Sequence, residues 1–152
     1  MFKRMLWATD FSEHATHARA WAIQCAECSA GKLFALAVAD VADVPVLSPI
    51  VTPEVNQPKL VQAKTWTEAE LAQAVKERLA REVVEIQAAG VEVRPVVRIG
   101  PPWREIVAAA QELDIDMIVL GAHGKHGLKA LLLGNTVENV TRHASCPVMI
   151  IR

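Results

Sequence analysis

The sequence predicts an α/β fold: a single doubly wound domain whose parallel sheet is covered by helices on both faces. Three observations predict it. Short apolar runs alternate with segments of helical period, five of the first with four of the second. Three of those runs carry almost no polar alternation, as expected of strands buried on both sides. A length of 152 residues, 52% hydrophobic and 22% charged, suits one compact domain spanning 1–152 around one sheet.

Residues 4–9 form the first run and 33–39 the second. Between them Asp10 and Glu13 have capping-box spacing and Gly31 stands where a C-cap glycine would, so the first unit reads strand, helix, strand. A long helix is predicted over Thr65–Ala89. Thr65 and Glu68 make a second capping box, Leu71, Val75, Leu79, Val83 and Ile86 share one face, and Gly90 stops it. Residues 91–99 set Val91, Val93, Val97 and Ile99 against Glu92, Arg94 and Arg98, and the enclosed Pro95 marks an edge strand.

Gly100-Pro101-Pro102 then starts a helix with an apolar face of Ile106, Val107, Ala110 and Leu113, since proline is tolerated where its missing N–H has no helical partner. Met117 to Leu120 is the third doubly buried strand. A glycine-rich stretch, a last helix carrying Val137, Val140, Thr141 and Ala144, and the strand Val148 to Ile151 follow. Parallel neighbours need crossovers of this length, which makes the sheet parallel. Segment 41–64 holds Pro45, Pro49, Pro53 and Pro58 and no glycine. It reads as a long proline-rich surface loop, either beside a ligand crevice or an excursion without ligand contact.

Composition removes several function classes. Sixteen basic residues against seventeen acidic ones leave a formal charge of -1, so no global field draws nucleic acid or anionic lipid. No apolar run approaches the roughly 18 residues of a membrane span. The apolar stretch after Lys3 and Arg4 ends at Asp10, short of a signal-peptide core of about 7 to 15 residues, so a cytoplasmic protein is expected.

Three cysteines, an odd number, argue against a disulfide framework. Cys25-x-x-Cys28 lies in an alanine-rich helix with Cys25 on the stripe of Ala18 and Ala22, and no second pair completes a zinc site. Both are read as small buried hydrophobes. His14-x-x-His17 and His123-x-x-His126 lack further ligands and read as surface or cap histidines, with no metal site made by the protein alone.

The chemistry concentrates after the third buried strand. Gly121, Gly124, Gly127 and Gly134, four of the seven glycines, fall within fourteen residues, between that strand and the last helix. Glycine lets backbone N–H groups approach an anion, and the helix N-terminus adds partial positive charge. In a doubly wound sheet, ligands bind at the carboxyl ends of the strands, which is where this loop leaves. Lys125, His126 and Lys129 stand in the loop as phosphate-screening or simply solvated side chains. Asp10 can equally be a helix cap, and Asn135 with Glu138 has capping-box spacing of its own.

The pattern Gly121-x2-Gly124-x9-Gly134-Asn135, after Met117-Ile118-Val119-Leu120 and before Val137-Glu138-Asn139-Val140 and Cys146-Pro147-Val148, resembles the nucleotide-binding signature of the universal stress protein family. Ala8-Thr9-Asp10-Phe11-Ser12 and Gly100-x-Pro102 resemble that family too. The resemblance spans essentially the whole chain. It implies strand order 3-2-1-4-5, a homodimer, and ATP, with Mg2+ held mainly by its phosphates, bound between the first and fourth strands. Carried over, it places Ala8, Thr9 and Asp10 beside the adenosine, Val38 against the base, and Leu120, Gly121 and Gly124 at the ribose and phosphates. Gly134, Asn135 and Thr136 would meet the triphosphate. The ATP-binding branch has Ser or Thr where this chain has Asn135, so one hydroxyl donor is replaced by an amide.

The expected function is that of an ATP-binding stress-response sensor, with at most slow ATP hydrolysis or autophosphorylation. No catalytic carboxylate pair, Ser-His-Asp order or Walker lysine motif appears in the sequence. The alternative is a protein-interaction module of the same fold without nucleotide, which the residue at 135 favours. An adenine-nucleotide alpha-hydrolase would carry an SGGxDS loop after the first strand, and a receiver domain would carry paired acidic residues there. Neither is present. In the order 3-2-1-4-5, Val148 to Ile151 becomes an apolar edge, and pairing with its copy across a two-fold axis would cover it.

Overall fold

The computed structural model describes residues 2–40, 67–124 and 133–152. The proline-rich segment 41–64, Thr65, Lys125, His126, Gly127 and Lys129 lie outside the described residues. The elements are β1 (Arg4–Thr9), α1 (Glu13–Ser29), β2 (Lys32–Ala39), α2 (Glu68–Ala88), β3 (Val93–Ile99), α3 (Pro102–Glu112), β4 (Met117–Gly121), α4 (Asn135–His143) and β5 (Val148–Ile151). The five strands are parallel, in the order β3-β2-β1-β4-β5. The expected fold class and strand order are both found.

Alternation along β1 assigns the two faces. Met5 and Trp7 join α1 through Ala18, Ala22 and Ala26, and α2 through Leu79, Val83 and Ile86. Leu6 and Ala8 point the other way, onto Ile106 and Ala109 of α3 and Val137 and Val140 of α4. A central strand buried on both faces must be apolar at every position, which is why β1, β2 and β4 show no alternation. Trp7 is fully buried, and its indole N–H donates to the Ala15 carbonyl at 3.0 Å, fixing the start of α1 against β1. At the opposite end of β1, the Asp116 carboxylate accepts from the Lys3 N–H at 2.7 Å and the Arg4 N–H at 3.2 Å, tying the start of β1 to that of β4.

Local signals settle differently from expectation in four places. Ser12, and not Asp10, caps α1: its hydroxyl accepts from the Ala15 N–H at 3.3 Å, while Asp10 Oδ1 accepts from the Ser12 N–H at 3.0 Å. Phe11, between them at φ 64°, makes the turn that delays the helix. At the far end Ala30, not Gly31, takes the left-handed C-cap conformation. Gly31 is short of space instead, since a Cβ there would lie 2.9 Å from Met5 Cε and 3.0 Å from the Phe2 carbonyl oxygen. The capping box of α2 is Thr67 with Glu70, two residues beyond the expected pair, because two Thr-x-x-Glu patterns interleave. Thr141 is exposed, its hydroxyl turned back to the Val137 carbonyl at 2.8 Å.

Candidate functional site

Thr9, the last residue of β1, and Asp10 after it shape the turn with their side chains. Thr9 Oγ1 accepts from the Phe11 N–H at 3.0 Å, and Asp10 holds the Ser12 N–H as described. A residue with a Cβ in left-handed conformation costs of order 1 kcal/mol or more, and such positions cluster where the surrounding structure fixes a site. The turn leaves Ala8, Thr9 and Asp10 on one wall of a cavity of about 630 Å³.

Val38 and Asp40 at the end of β2 form a second wall, with Leu36 beneath them. Leu120, Gly121, His123 and Gly124 enter from β4, and Gly134, Asn135, Thr136 and Val137 from the start of α4. Pro101, Pro102, Trp103 and Ile106 of α3 close the remaining side. All ten residues singled out from sequence therefore line one cavity, at the carboxyl ends of β1, β2 and β4. Asp40, His123, Trp103 and the start of α3 line it without having been singled out as ligand residues. Gly100-Pro101-Pro102 marked a helix start and part of the family resemblance, with no ligand role, and no local pattern tells that α3 and α4 pack beside one another.

The glycines are not equivalent. A Cβ on Gly121 would lie 2.5 Å from the backbone carbonyl carbon of His14, so glycine is required there for α1 to pack on β4. On Gly124 it would meet only the tip of the Asp10 side chain, at 2.7 Å, and on Gly134 nothing closer than 3.7 Å. Gly134 also has ordinary extended backbone, φ -63° and ψ 150°. Packing does not demand glycine at 134 and scarcely does at 124. What both provide is open space along the cavity and access to backbone N–H groups.

Gly134 is the N-cap of α4 and offers no side-chain cap. The expected Asn135–Glu138 box does not form. Asn135 is the first helical residue, its Oδ1 accepting from Asn139 Nδ2 at 2.8 Å, and Glu138 pairs with Arg142 at 2.7 Å. The N–H groups of Asn135, Thr136 and Val137 thus have no partner within the helix, and among the described residues no side chain caps them. They lie beside the cavity, where partial positive charge favours an anion. The Ala122 N–H donates to the Ile151 carbonyl at 2.7 Å and the Gly134 N–H to the Ala122 carbonyl at 3.1 Å, which ties the end of β4 to the start of α4.

Of the two histidine pairs, His126 lies outside the described residues and His17 is exposed. His14 of α1 meets His123 edge to face, with ring centroids 5.0 Å apart, and His14 Nδ1 is buried without a hydrogen-bond partner among the described residues. Among the described residues no three His, Cys, Asp or Glu side chains are placed to hold a metal ion. Nor is any described helix long and apolar enough to cross a membrane. The cysteines depart from expectation: Cys28 is exposed and Cys25 only half-buried, while Ala15, Ala18, Ala22 and Ala26 supply the buried stripe.

Comparison with known proteins gives consistent findings. The sequence profile of the universal stress protein family matches residues 1–152. Universal stress protein MJ0531 of Methanocaldococcus jannaschii is 30% identical over 153 residues, covering 100% of this chain and 83% of the relative. The solved structure of MJ0577 from the same organism superimposes with a TM-score of 0.79 at 27% identity, covering 99% of this chain and 96% of that one. A universal stress protein from Archaeoglobus fulgidus, solved in complex with dAMP, shares the fold with a TM-score of 0.66 at 19% identity, covering 100% and 98% of the two chains.

Proposed function

This chain belongs to the universal stress protein family, and from that premise we propose that its cavity binds an adenine nucleotide, ATP with Mg2+, so that occupancy regulates a stress response. The observation that carries the reading is the convergence of Asp10, Val38, Gly124 and Gly134 with the uncapped start of α4 on one 630 Å³ cavity. Its floor of Ala8, Leu36, Val38 and Leu120 suits a base, and its glycine and helix-start rim suits phosphate. The donor set fits the group. Gly124, Asn135 and Thr136 would hold phosphate oxygens through backbone N–H groups, with Gly134, whose own N–H is taken by the Ala122 carbonyl, leaving open space for the triphosphate, and Ala8, Thr9, Asp10, Val38, Leu120 and Gly121 would hold the nucleoside. Mg2+ would supply charge neutralisation on the phosphates, which needs few protein ligands.

The protein acts as a sensor and not as a catalyst, with at most slow hydrolysis or autophosphorylation. It works in the cytoplasm without nucleic acid or membrane as partner, as a homodimer paired through β5, an edge strand of four apolar residues. Isothermal titration of nucleotide-stripped protein with Mg-ATP and with AMP tests the binding reading. Saturable binding of either supports it, and a folded protein that takes neither sinks it. One observation favours the second reading, an interaction module without nucleotide: the Asn135 side chain is engaged with Asn139 instead of standing free toward the cavity.

A further inference from the structure

Cys25 and Cys28 are three residues apart in the last two turns of α1. At about 100° per residue they stand about 60° apart around the helix axis and about 4.5 Å along it, so their side chains share a face. Cys28 is exposed and Cys25 half-buried at the margin of the cluster formed by α1 and α2 with the sheet. Both are free thiols. Cys146 packs in the cluster on the opposite face of the sheet and cannot join them. The pair lies about 20 Å along α1 from the turn that borders the cavity, a separation that makes it independent of the nucleotide reading.

We infer that Cys25 and Cys28 form a dithiol site that captures one trivalent arsenical per chain. The choice of ligand follows from the surroundings. Burial, and after it the neighbouring Cys28, push the Cys25 thiol above its ordinary value, and a helix C-terminus gives a thiolate no help. A divalent cation needs both thiols ionised, which this environment opposes. A neutral trivalent arsenic dihydroxide needs neither. Each S–H attacks arsenic, an As–S bond forms as an As–O bond breaks, and the thiol proton leaves with the hydroxide as water. Two thiols release two waters, arsenic stays trivalent, and no oxidant or reductant takes part. The same environment disfavours thioredoxin-like chemistry, which requires a thiolate of lowered pKa.

The test is titration of the full, reduced chain with phenylarsonous acid, read by intact mass under native conditions and by competition with 1,2-ethanedithiol. The expected result is one arsenic per chain, with affinity reduced at least about 100-fold in Cys28→Ser and in Cys25→Ala, as loss of the second attachment demands. Cys146→Ser should leave both stoichiometry and affinity unchanged. Cys28 is exposed, so Cys28→Ser keeps the test valid if Cys25→Ala disturbs packing. Absence of the adduct on the folded wild type, its persistence at full affinity in Cys28→Ser, or tighter binding of Cd2+ than of the arsenical would each overturn the inference.

Discussion

A Cβ built on Gly124 lies 2.7 Å from Oδ2 of Asp10, so the loop after β4 and the turn after β1 meet across the cavity at these two residues. Gly121, three residues earlier, presses on the His14 backbone. The two glycines therefore answer to different demands. Gly121→Ala should destabilise the fold by at least about 2 kcal/mol, since backbone cannot rotate out of the way. Gly124→Ala should cost under about 1 kcal/mol, because only a carboxylate tip must shift, and should weaken nucleotide binding instead. Chemical denaturation of both variants beside calorimetric titration of Gly124→Ala checks this, and equal destabilisation by the two would contradict it.

Ala30 holds a left-handed conformation, φ 45°, that glycine adopts without steric cost. Ala30→Gly should stabilise the protein by about 0.5–1 kcal/mol, seen as a rise in Tm of about 2–3 °C. A fall in Tm would mean that the end of α1 is formed otherwise.

Burial first and the nearby Asp116 carboxylate second push the Cys146 thiol up, and burial does the same to Cys25. The unfolded chain then loses these protons at lower pH than the folded one. Their contribution to stability is fully present below the ordinary thiol value of about 8.5 and is lost as pH rises through the higher folded values. Unfolding midpoints measured from pH 7 to 10.5 should fall above about 8.5, and the fall should be shallower in Cys146→Ser.

Trp21 of α1 is half-exposed, and it lines a groove with Leu133, Ile150, Ile151 and Arg152 beside the β5 edge. If β5 pairs with its copy, Trp21→Glu should shift sedimentation at micromolar concentration from dimer to monomer while leaving the circular dichroism unchanged. A monomeric wild type would contradict the pairing.

The fold was legible because a doubly wound sheet writes itself in local signals: apolar runs at β1, β2 and β4, and Pro95 at the edge strand β3. Caps were less legible because several patterns compete within a turn. Thr65 and Thr67 each stand three residues before a Glu, and Phe11 displaces the cap from Asp10 to Ser12 through a backbone conformation that a phenylalanine does not announce. In the site, the glycine spacing pointed to the loop but not to the division of labour between Gly121 and Gly124, which depends on the packing of α1. Trp103 was not legible as a lining residue because only the crossing of α3 over the sheet brings it to the cavity, whereas Asp40 reaches it from the end of β2, one residue past the strand that carries Val38.

The most direct test of the central claim is titration of nucleotide-stripped wild type and Gly124→Trp with Mg-ATP, each first shown to be folded. The account predicts one saturable site in the wild type and its loss in the variant, whose indole would occupy the cavity beside Asp10. Binding retained at full affinity in folded Gly124→Trp, or none in the wild type, would contradict it.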